Sequence, residues 1–581
     1  MGGHLPGRPR LLLMTPRNVA GSPRQRRGST SAPVTHKELM RRSLFLFFVS
    51  ASAAATGCAS LYHLEEYTTE GEKPAITSPP APIDDDAATP GKGGEDGAVP
   101  STSCDTNVEC NRFTTAGGSG SIASGATPSV CVKATGRCAA LGSLDCPRIS
   151  GDFLDDGAVV IGTLLGGEDL TLERAALLAA EEIGALPAPK GGKVRPLVVV
   201  GCNATVDVTR AARHLVDDLR VPAIVGPTAG DDVMSITQQI SKQGGTLLVT
   251  PTSPVSSISK LADNDLTWRV LPSDTQRAKL VIAQMNDLES VLRSTRALTT
   301  VKLGVVHRAD ASGLSARDSI SGKLIINGRF INDAANAANV SLDGYTAKPG
   351  VASPLESVVA KYAGTFKPDL VFVTAPEQVA DLIVPLEAAL TAGRVVNKPY
   401  YICTDAAKTQ AFLDAIDAAA LPTDIRRRVR GVGVKPDTGS AAALDTFTAA
   451  FTQRYGTKPS AFPAALSYDA MYAVAFAIAA TTDVAVSGAS VAKGLRALGV
   501  GDAFTIGADQ SATIMESLAA GTSVSLRGTG SVLQWDPSGD LAGGTAEVWC
   551  IGTAAPSAFA SGGLTMDVQT QVVGGAFVQC R

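Results

Sequence analysis

From about residue 155 onward, short apolar runs alternate with longer segments whose apolar residues recur every three or four positions. The runs at 159–163, 197–200, 223–225 and 247–250 are nearly all apolar and are bounded by glycine, proline or polar residues, as buried strands are. Between them, LTLERAALLAAEEIGAL places Leu172, Ala176, Ala179 and Ile183 on one helical face. VDVTRAARHLVDDL does the same with Val208, Ala211, Ala212, Leu215 and Leu219. DDVMSITQQISKQGG turns Val233, Ile236 and Ile240 inward, with Gly244 as its stop. The cycle then restarts. Residues 274–288 read as a helix and 303–306 as a strand ending in HRADASG, with another strand near Val340. KPDLVFVTAPEQVADLIVPLEAAL and KPYYICTDAAKTQAFLDAI are each a strand followed by a helix, and 441–455 and 464–480 are late helices. Continuous apolar strands joined by amphipathic helices predict an α/β fold of two successive lobes, each a parallel sheet covered on both faces.

The N-terminal part has a different texture. Residues 40–58, MRRSLFLFFVSASAAATGC, hold two arginines, an apolar stretch too short to span a bilayer, and small residues before Cys58. This is the layout of a secretory signal, with Met40 as the expected start of translation. The end, ATGC, resembles a bacterial lipobox, which implies that Cys58 carries the lipid anchor; Ala55 stands where leucine is usual. A plain signal peptide cut nearby is the alternative. Residues 58–100 are poor in large apolar side chains and are expected to form a disordered tether. Residues 101–148 carry Cys104, Cys110, Cys131, Cys138 and Cys146 around a Gly/Ser-rich loop. So short a module needs disulfides among the first four, and the spacings fit no zinc pattern. It reads as a structural stalk or, alternatively, an interaction module.

Composition narrows the picture further. The chain has 581 residues, too many for one core. Net charge is −4, and only three tryptophans and nine tyrosines are present, which argues against a nucleic-acid partner. Ten cysteines in an exported chain favour disulfides over redox or metal chemistry; with Cys58 lipidated nine remain, so at least one is left over. Cys550 is expected to pair with Cys580, and Cys146 to bridge to Cys202, whereas Cys403 lies inside a strand. No GxSxG, HExxH, P-loop or CxxC motif occurs, so an enzyme is not expected, nor any cofactor or metal. His214 reads as a solvated helix flank and His307 as a strand-end residue able to face a cleft.

In order, IGTLLGGEDLTLERAALLAAEEI, AIVGPTAG, LLVTPTSP, WRVLPSDTQRA, LGVVHRADASG, DLVFVTAPEQVADLI, YYICTDAA and ALSYDAMYAVAFAIA resemble the type I periplasmic binding proteins, nearest the branched-chain (Leu/Ile/Val) amino-acid binders of ABC transporters. The resemblance covers roughly residues 157–535. It implies two Rossmann-like lobes joined by three hinge crossovers: lobe 1 at about 157–274 and 436–530, lobe 2 at about 275–435 and 531–581. It also implies a cleft that closes on a ligand.

Strand ends next to helix N-termini suit an anion. The resemblance assigns Thr252 and Ser253, with Thr228 and Ala229, to the ligand's carboxylate. It assigns Asp405 to the ammonium, although capping the following helix is the other reading of that residue. Asp310, in HRADASG, follows another strand end that could line the cleft, and Ser312 and Ala375 fall at cleft positions where the relatives carry aromatic residues. Asp469 matches a further family position and is either a ligand contact or structural. The expected partners are a small-molecule ligand such as an amino acid, an ABC permease, and a membrane reached through the lipid. The expected role is an extracytoplasmic solute-binding protein of the cell envelope. A non-transport sensor or surface-interaction protein on the same fold is the alternative.

Overall fold

The computed structural model describes residues 103–111, 127–186, 195–347, 355–374, 378–459, 461–481 and 485–580. The leader, the tether, Cys58 and Ala375 lie outside the described residues.

The Cys-rich module contributes α1 (Asn107–Cys110), the hairpin β1 (Ser129–Val132) and β2 (Arg137–Ala140), and β3 (Arg148–Ser150). Thr106 and Glu109 cap α1 reciprocally, each side chain accepting from the other's backbone amide. Disulfides Cys104–Cys131 and Cys110–Cys138 close the module in place of a large core.

Lobe 1 runs through β4 (Val159–Gly166), α2 (Thr171–Gly184), β5 (Leu197–Asn203), α3 (Val208–Arg213), β6 (Ala223–Val225), α4 (Gly230–Ile236), α5 (Lys242–Gly244), β7 (Leu247–Thr250) and β8 (Thr267–Arg269). A wider turn at Thr237–Ser241 joins α4 to α5, making one continuous helical segment. Lobe 2 follows with α6 (Asp274–Arg296), β9 (Leu303–Arg308), α7 (Ala311–Ser321), the hairpin β10 (Ile325–Ile326) and β11 (Arg329–Phe330), and β12 (Val340–Tyr345). It goes on through α8 (Glu356–Gly364), β13 (Leu370–Thr374), α9 (Val379–Ala392), β14 (Tyr400–Thr404), α10 (Gln410–Asp417), α11 (Pro422–Arg428) and β15 (Val429–Lys435). The chain then returns to lobe 1 with α12 (Thr438–Tyr455), α13 (Ala461–Ala479), α14 (Gly488–Leu495), β16 (Asp502–Thr505), α15 (Ala508–Ala519) and β17 (Val524–Arg527). It ends in lobe 2 with β18 (Thr545–Ile551), β19 (Phe559–Asp567) and β20 (Val573–Gly574). Three crossovers therefore join the lobes, at 270–273, 436–437 and 528–544.

The first sheet has the order β3-β5-β4-β6-β7-β8 and the second β12-β9-β13-β14-β15-β18-β19-β20. Within each, the first five parallel strands of the lobe follow the doubly wound order 2-1-3-4-5. Strand alternation explains the near-continuous apolar runs. Val199, Ala223, Val225, Leu247 and Val249 face α2 and α13, whereas Val198, Val200, Ile224 and Leu248 face the α3 and α4 side. Lobe 2 does the same: Val371, Val373 and Tyr401 fall in one core and Leu370, Phe372 and Ile402 in the other. Each fully buried aliphatic side chain contributes about 2 kcal/mol.

The span 462–479 of α13 is long and apolar enough to cross a membrane, with mean hydropathy 1.3, but 83% of it is buried. It is the central helix of lobe 1, sandwiched by α2, α14 and α15. Gly431 is required by a close approach: a Cβ there would sit 2.1 Å from the Trp549 ring, which lies across β15.

The module is built into lobe 1. Its β3 adds antiparallel to β5 at the sheet edge, and Cys146–Cys202 bonds it covalently. Arg148 of β3 grips the buried Glu173 at the start of α2 with two bonds of 2.5 and 2.6 Å. Asp145 pairs with Arg210 on α3. His214, read from the sequence as solvated, is nearly buried here: its Nε2 meets Leu141 O of the module at 3.0 Å and its Nδ1 meets Asp218 at 3.1 Å. Sequence periodicity could not foresee this, because the covering surface comes from another part of the chain.

Candidate functional site

The carboxyl ends of the two sheets point at one another. The loops after β6 and β7 in lobe 1 meet the first turns of α7 and α6 in lobe 2. Asp231 Oδ2 accepts from Ala311 N at 3.1 Å, and Ser256 N donates to Ser315 Oγ at 2.9 Å. Asp274 N donates to Pro254 O at 2.8 Å. A small apolar cluster, Val233, Val255 and Ile258 with Met234 and Ala311, closes over these bonds.

Strand β6 ends in Gly226, at φ +108°, a conformation glycine adopts without cost. The turn through Pro227, Thr228 and Ala229 then opens α4 at Gly230. Thr228 is half-buried and Ala229 exposed. After β7, Thr252 is half-buried, and Ser253 is wholly buried with no partner for its hydroxyl among the described residues. A Cβ on Gly230 would lie 3.3 Å from Ser253 Oγ and 2.3 Å from Val255 Cγ2, so only glycine lets this loop approach the helix start. The buried hydroxyl thus sits beside the amino end of α4, where unpaired N–H groups and the helix dipole favour an anion.

Arg269, the last residue of β8, holds the loop in place. Its guanidinium is fully buried; Nη1 donates to Ser253 O at 3.3 Å and Val255 O at 3.0 Å. Nη2 donates to Ser259 Oγ at 3.2 Å, and Nε faces Asp540 of the third crossover at 2.8 Å. Burial pulls the pKa of Arg269 down and pushes that of Asp540 up.

On lobe 2, Asp405 follows β14 directly. Arg277 Nη1 donates to its Oδ2 at 2.6 Å, and Arg277 Nη2 donates to Asp274 Oδ1 at 3.0 Å. Ser315 in turn donates to Asp274 Oδ2 at 2.7 Å. Burial opposes the charge on Arg277, but Asp405 and then Asp274 outweigh it and hold its pKa above the ordinary value. Burial raises the Asp274 carboxyl, with Arg277 pulling the other way. Asp274 and Arg277 of this triad line, with Ser319, Phe372, Cys403 and Thr404, a small cavity of about 20 Å³, enough for a water.

The remaining expected residues scatter. Asp310 caps α7, accepting from Gly313 N at 2.8 Å, and also pairs with Arg308. Ser312 is half-buried in the first turn of α7. His307 is buried; its Nε2 meets Arg317 Nη1 at 3.1 Å, and burial lowers its pKa. Asp469 is buried in lobe 1, where Thr529 N (2.9 Å to Oδ2) and Thr529 Oγ1 (2.9 Å) donate to it from the third crossover. Cys550 bonds Cys580, and Cys403 is free and buried in β14.

The structure therefore brings Thr228, Ala229, Thr252 and Ser253 together, and sets Asp405 in a triad whose other two members the sequence reading passed over. The signal was present: Arg269, Asp274 and Arg277 are three charges within the eleven residues of WRVLPSDTQRA.

No family model matches the chain, and no curated protein does. Solved structures do. One is the branched-chain amino acid transporter substrate-binding protein LivJ from Streptococcus pneumoniae in complex with isoleucine, at 14% identity over 70% of this chain and 99% of that one, with a TM-score of 0.49. A second is the leucine-binding protein LivK from Thermotoga maritima, at 15% identity over 69% and 97%, with a TM-score of 0.47. A third is an ABC-transporter solute-binding protein from Rhodopseudomonas palustris in complex with 3,4-dihydroxybenzoic acid, at 14% identity over 73% and 98%, with a TM-score of 0.49. Both lobes are doubly wound α/β units. At these identities and scores the likeness adds nothing to what the strand order already shows.

Proposed function

We propose that this is an extracytoplasmic solute-binding protein, lipid-anchored through Cys58, that takes up a small carboxylate-bearing solute between its lobes and presents it to an ABC importer. One observation carries the reading: a fully buried serine hydroxyl without a partner among the described residues, Ser253, lies beside the amino end of α4 at the carboxyl edge of a doubly wound sheet. Ligands of open α/β sheets bind in that place. Thr252 and Thr228 stand next to it as further donors, and the opposed loops of lobe 2 supply the other wall. The reading gives this chain no catalytic step: capture, lobe closure and release make up the whole cycle.

The test is calorimetry of the natively purified, full-length chain against a panel of small carboxylates, with Ser253→Ala alongside. Saturable binding of one panel member, weakened in the variant, supports the reading. A panel without binders, together with a protein partner recovered by cross-linking, moves the assignment to a surface-interaction protein. The rigid attachment of the disulfide module to lobe 1 favours that second reading, because solute capture makes no use of it.

A further inference from the structure

Resting on the reading of Ser253 as a carboxylate contact, we infer that Arg277 makes the site selective for carboxylates without a neighbouring ammonium, because its guanidinium already takes up both Asp405 and Asp274. A zwitterionic amino acid brings two charges into a closing cleft. Its carboxylate meets Ser253 and the start of α4. Its ammonium loses water and requires acidic or carbonyl acceptors in exchange, and a buried ammonium left short of them is strongly disfavoured.

The acidic groups at this interlobe surface already have partners from the chain itself. Asp405 takes Arg277 Nη1 at 2.6 Å, and Asp274 takes Arg277 Nη2 at 3.0 Å and Ser315 Oγ at 2.7 Å. Asp310 holds Arg308 and the Gly313 amide, and Asp231 holds the Ala311 amide across the lobe boundary. The Arg277 side chain is only 4% exposed and that of Asp405 21%, so the pair is a built element and not a loose surface contact. Its guanidinium is planar and stays charged, and it presents two donors to two carboxylates at once, a geometry that a ligand ammonium with its point charge does not displace. Asp232 is the one acid of the α4 first turn for which no bond is described. It is half-buried, and burial and then Asp231 raise the pKa of its carboxyl, which leaves it as the acceptor that Asp232→Asn examines.

The experiment pairs each amino acid with its des-amino twin: leucine with 4-methylpentanoate, and phenylalanine with 3-phenylpropanoate. Thermal shift and calorimetry are run on the full chain. The expected result is that the des-amino acid of at least one pair binds about tenfold or more tightly than its twin. Arg277→Met, which releases Asp405, is expected to narrow or reverse that ratio. Removing one partner of a buried pair can unfold a protein, so the wild-type ratio is the primary readout and stands without the variant.

Leucine or phenylalanine binding as well as its twin, with Ser253→Ala weakening both, would leave the solute-binding reading standing and overturn the selectivity. Amino-acid binding abolished by Asp232→Asn would overturn it too, by naming a different acceptor. An unchanged ratio in a folded Arg277→Met protein removes Arg277 as the determinant. If no carboxylate of either kind binds, the reading of the site itself fails, and this inference with it.

Discussion

Ser253 and Asp469 show how far a single side chain can be read. The Ser253 hydroxyl has no bond among the described residues to lose, so Ser253→Ala is expected to leave the melting temperature unchanged while weakening carboxylate binding about fivefold, the worth of one hydrogen bond; a thermal melt and a calorimetric titration check both halves. Asp469 behaves oppositely. Burial pushes its carboxyl up to about 7, against the pull of the donors Thr529 and Gly530. The folded value lies above the unfolded one, so this group's contribution to stability is fullest below pH ~4 and is lost as pH rises to ~7. Between pH 5 and pH 8 the wild type should therefore lose more stability than Asp469→Asn; urea midpoints of both proteins at the two pH values test it. Arg527, at the end of β17, and Asp437 of the second crossover pair with each other at 2.5 Å. From sequence, Asp469 was readable either as a ligand contact or as structural. Its bonds to Thr529 place it in the structure of the hinge, a distinction that needed two segments 60 residues apart to be seen together.

Among the elements, β3 is the instructive case. Three residues of half-buried strand carry no periodic signal, and the sequence reading ended the stalk at residue 148, the first of them. In the structure they extend the lobe 1 sheet, and Cys146–Cys202 closes a separation of 56 residues across the junction. A loop of that length contributes about 4 kcal/mol in the chain-entropy account, and engineered losses run to about 2–4 kcal/mol. The double variant Cys146→Ala/Cys202→Ala should melt lower by that free energy. It should also become cleavable between the module and β4 under limited proteolysis, because the junction then relies on the short β3 ladder, the Arg148–Glu173 and Asp145–Arg210 pairs and the His214 contact with Leu141. Intact resistance to protease in the double variant would show that the noncovalent contacts suffice without the disulfide. The long elements were far more legible. The strands 223–225 and 247–250 were bounded correctly, and α6, expected to end near 288, continues to Arg296. Its extra turns pack Leu292 beside Leu288 in lobe 2, an extension that the pattern allowed but did not require.

At the scale of the whole molecule, the lobes meet through few bonds. Asp231 to Ala311 N and the Ser256–Ser315 pair cross the boundary beside a small apolar cluster. Interfaces of this kind hold a clamshell shut only marginally, which lets a ligand with differential affinity set the equilibrium. Asp231→Ala is expected to shift the unliganded protein toward open forms and to weaken ligand binding several-fold without lowering the stability of either lobe. Small-angle scattering with and without ligand, and denaturant unfolding of the variant, separate these effects. A variant as compact as the wild type without ligand would show that the Asp231 bond does not bias the closure.

The alternation of apolar runs and amphipathic stretches was enough to determine two α/β lobes and the positions of most strands, because burial on both faces of a parallel sheet imposes a pattern that any short window of sequence records. The turns after β6 and β7 at the carboxyl edge of the sheet were legible for the same local reason: Gly, Pro and hydroxyl residues directly before a helix. What the tertiary structure alone decided were the pairings between distant segments. Arg277 on Asp405, Arg269 on Asp540, Arg148 on Glu173 and His214 on Leu141 each join residues whose neighbours in the chain say nothing of the partner. Charge partnership depends on distance in space, and the folded sheets, not the local pattern, set that distance.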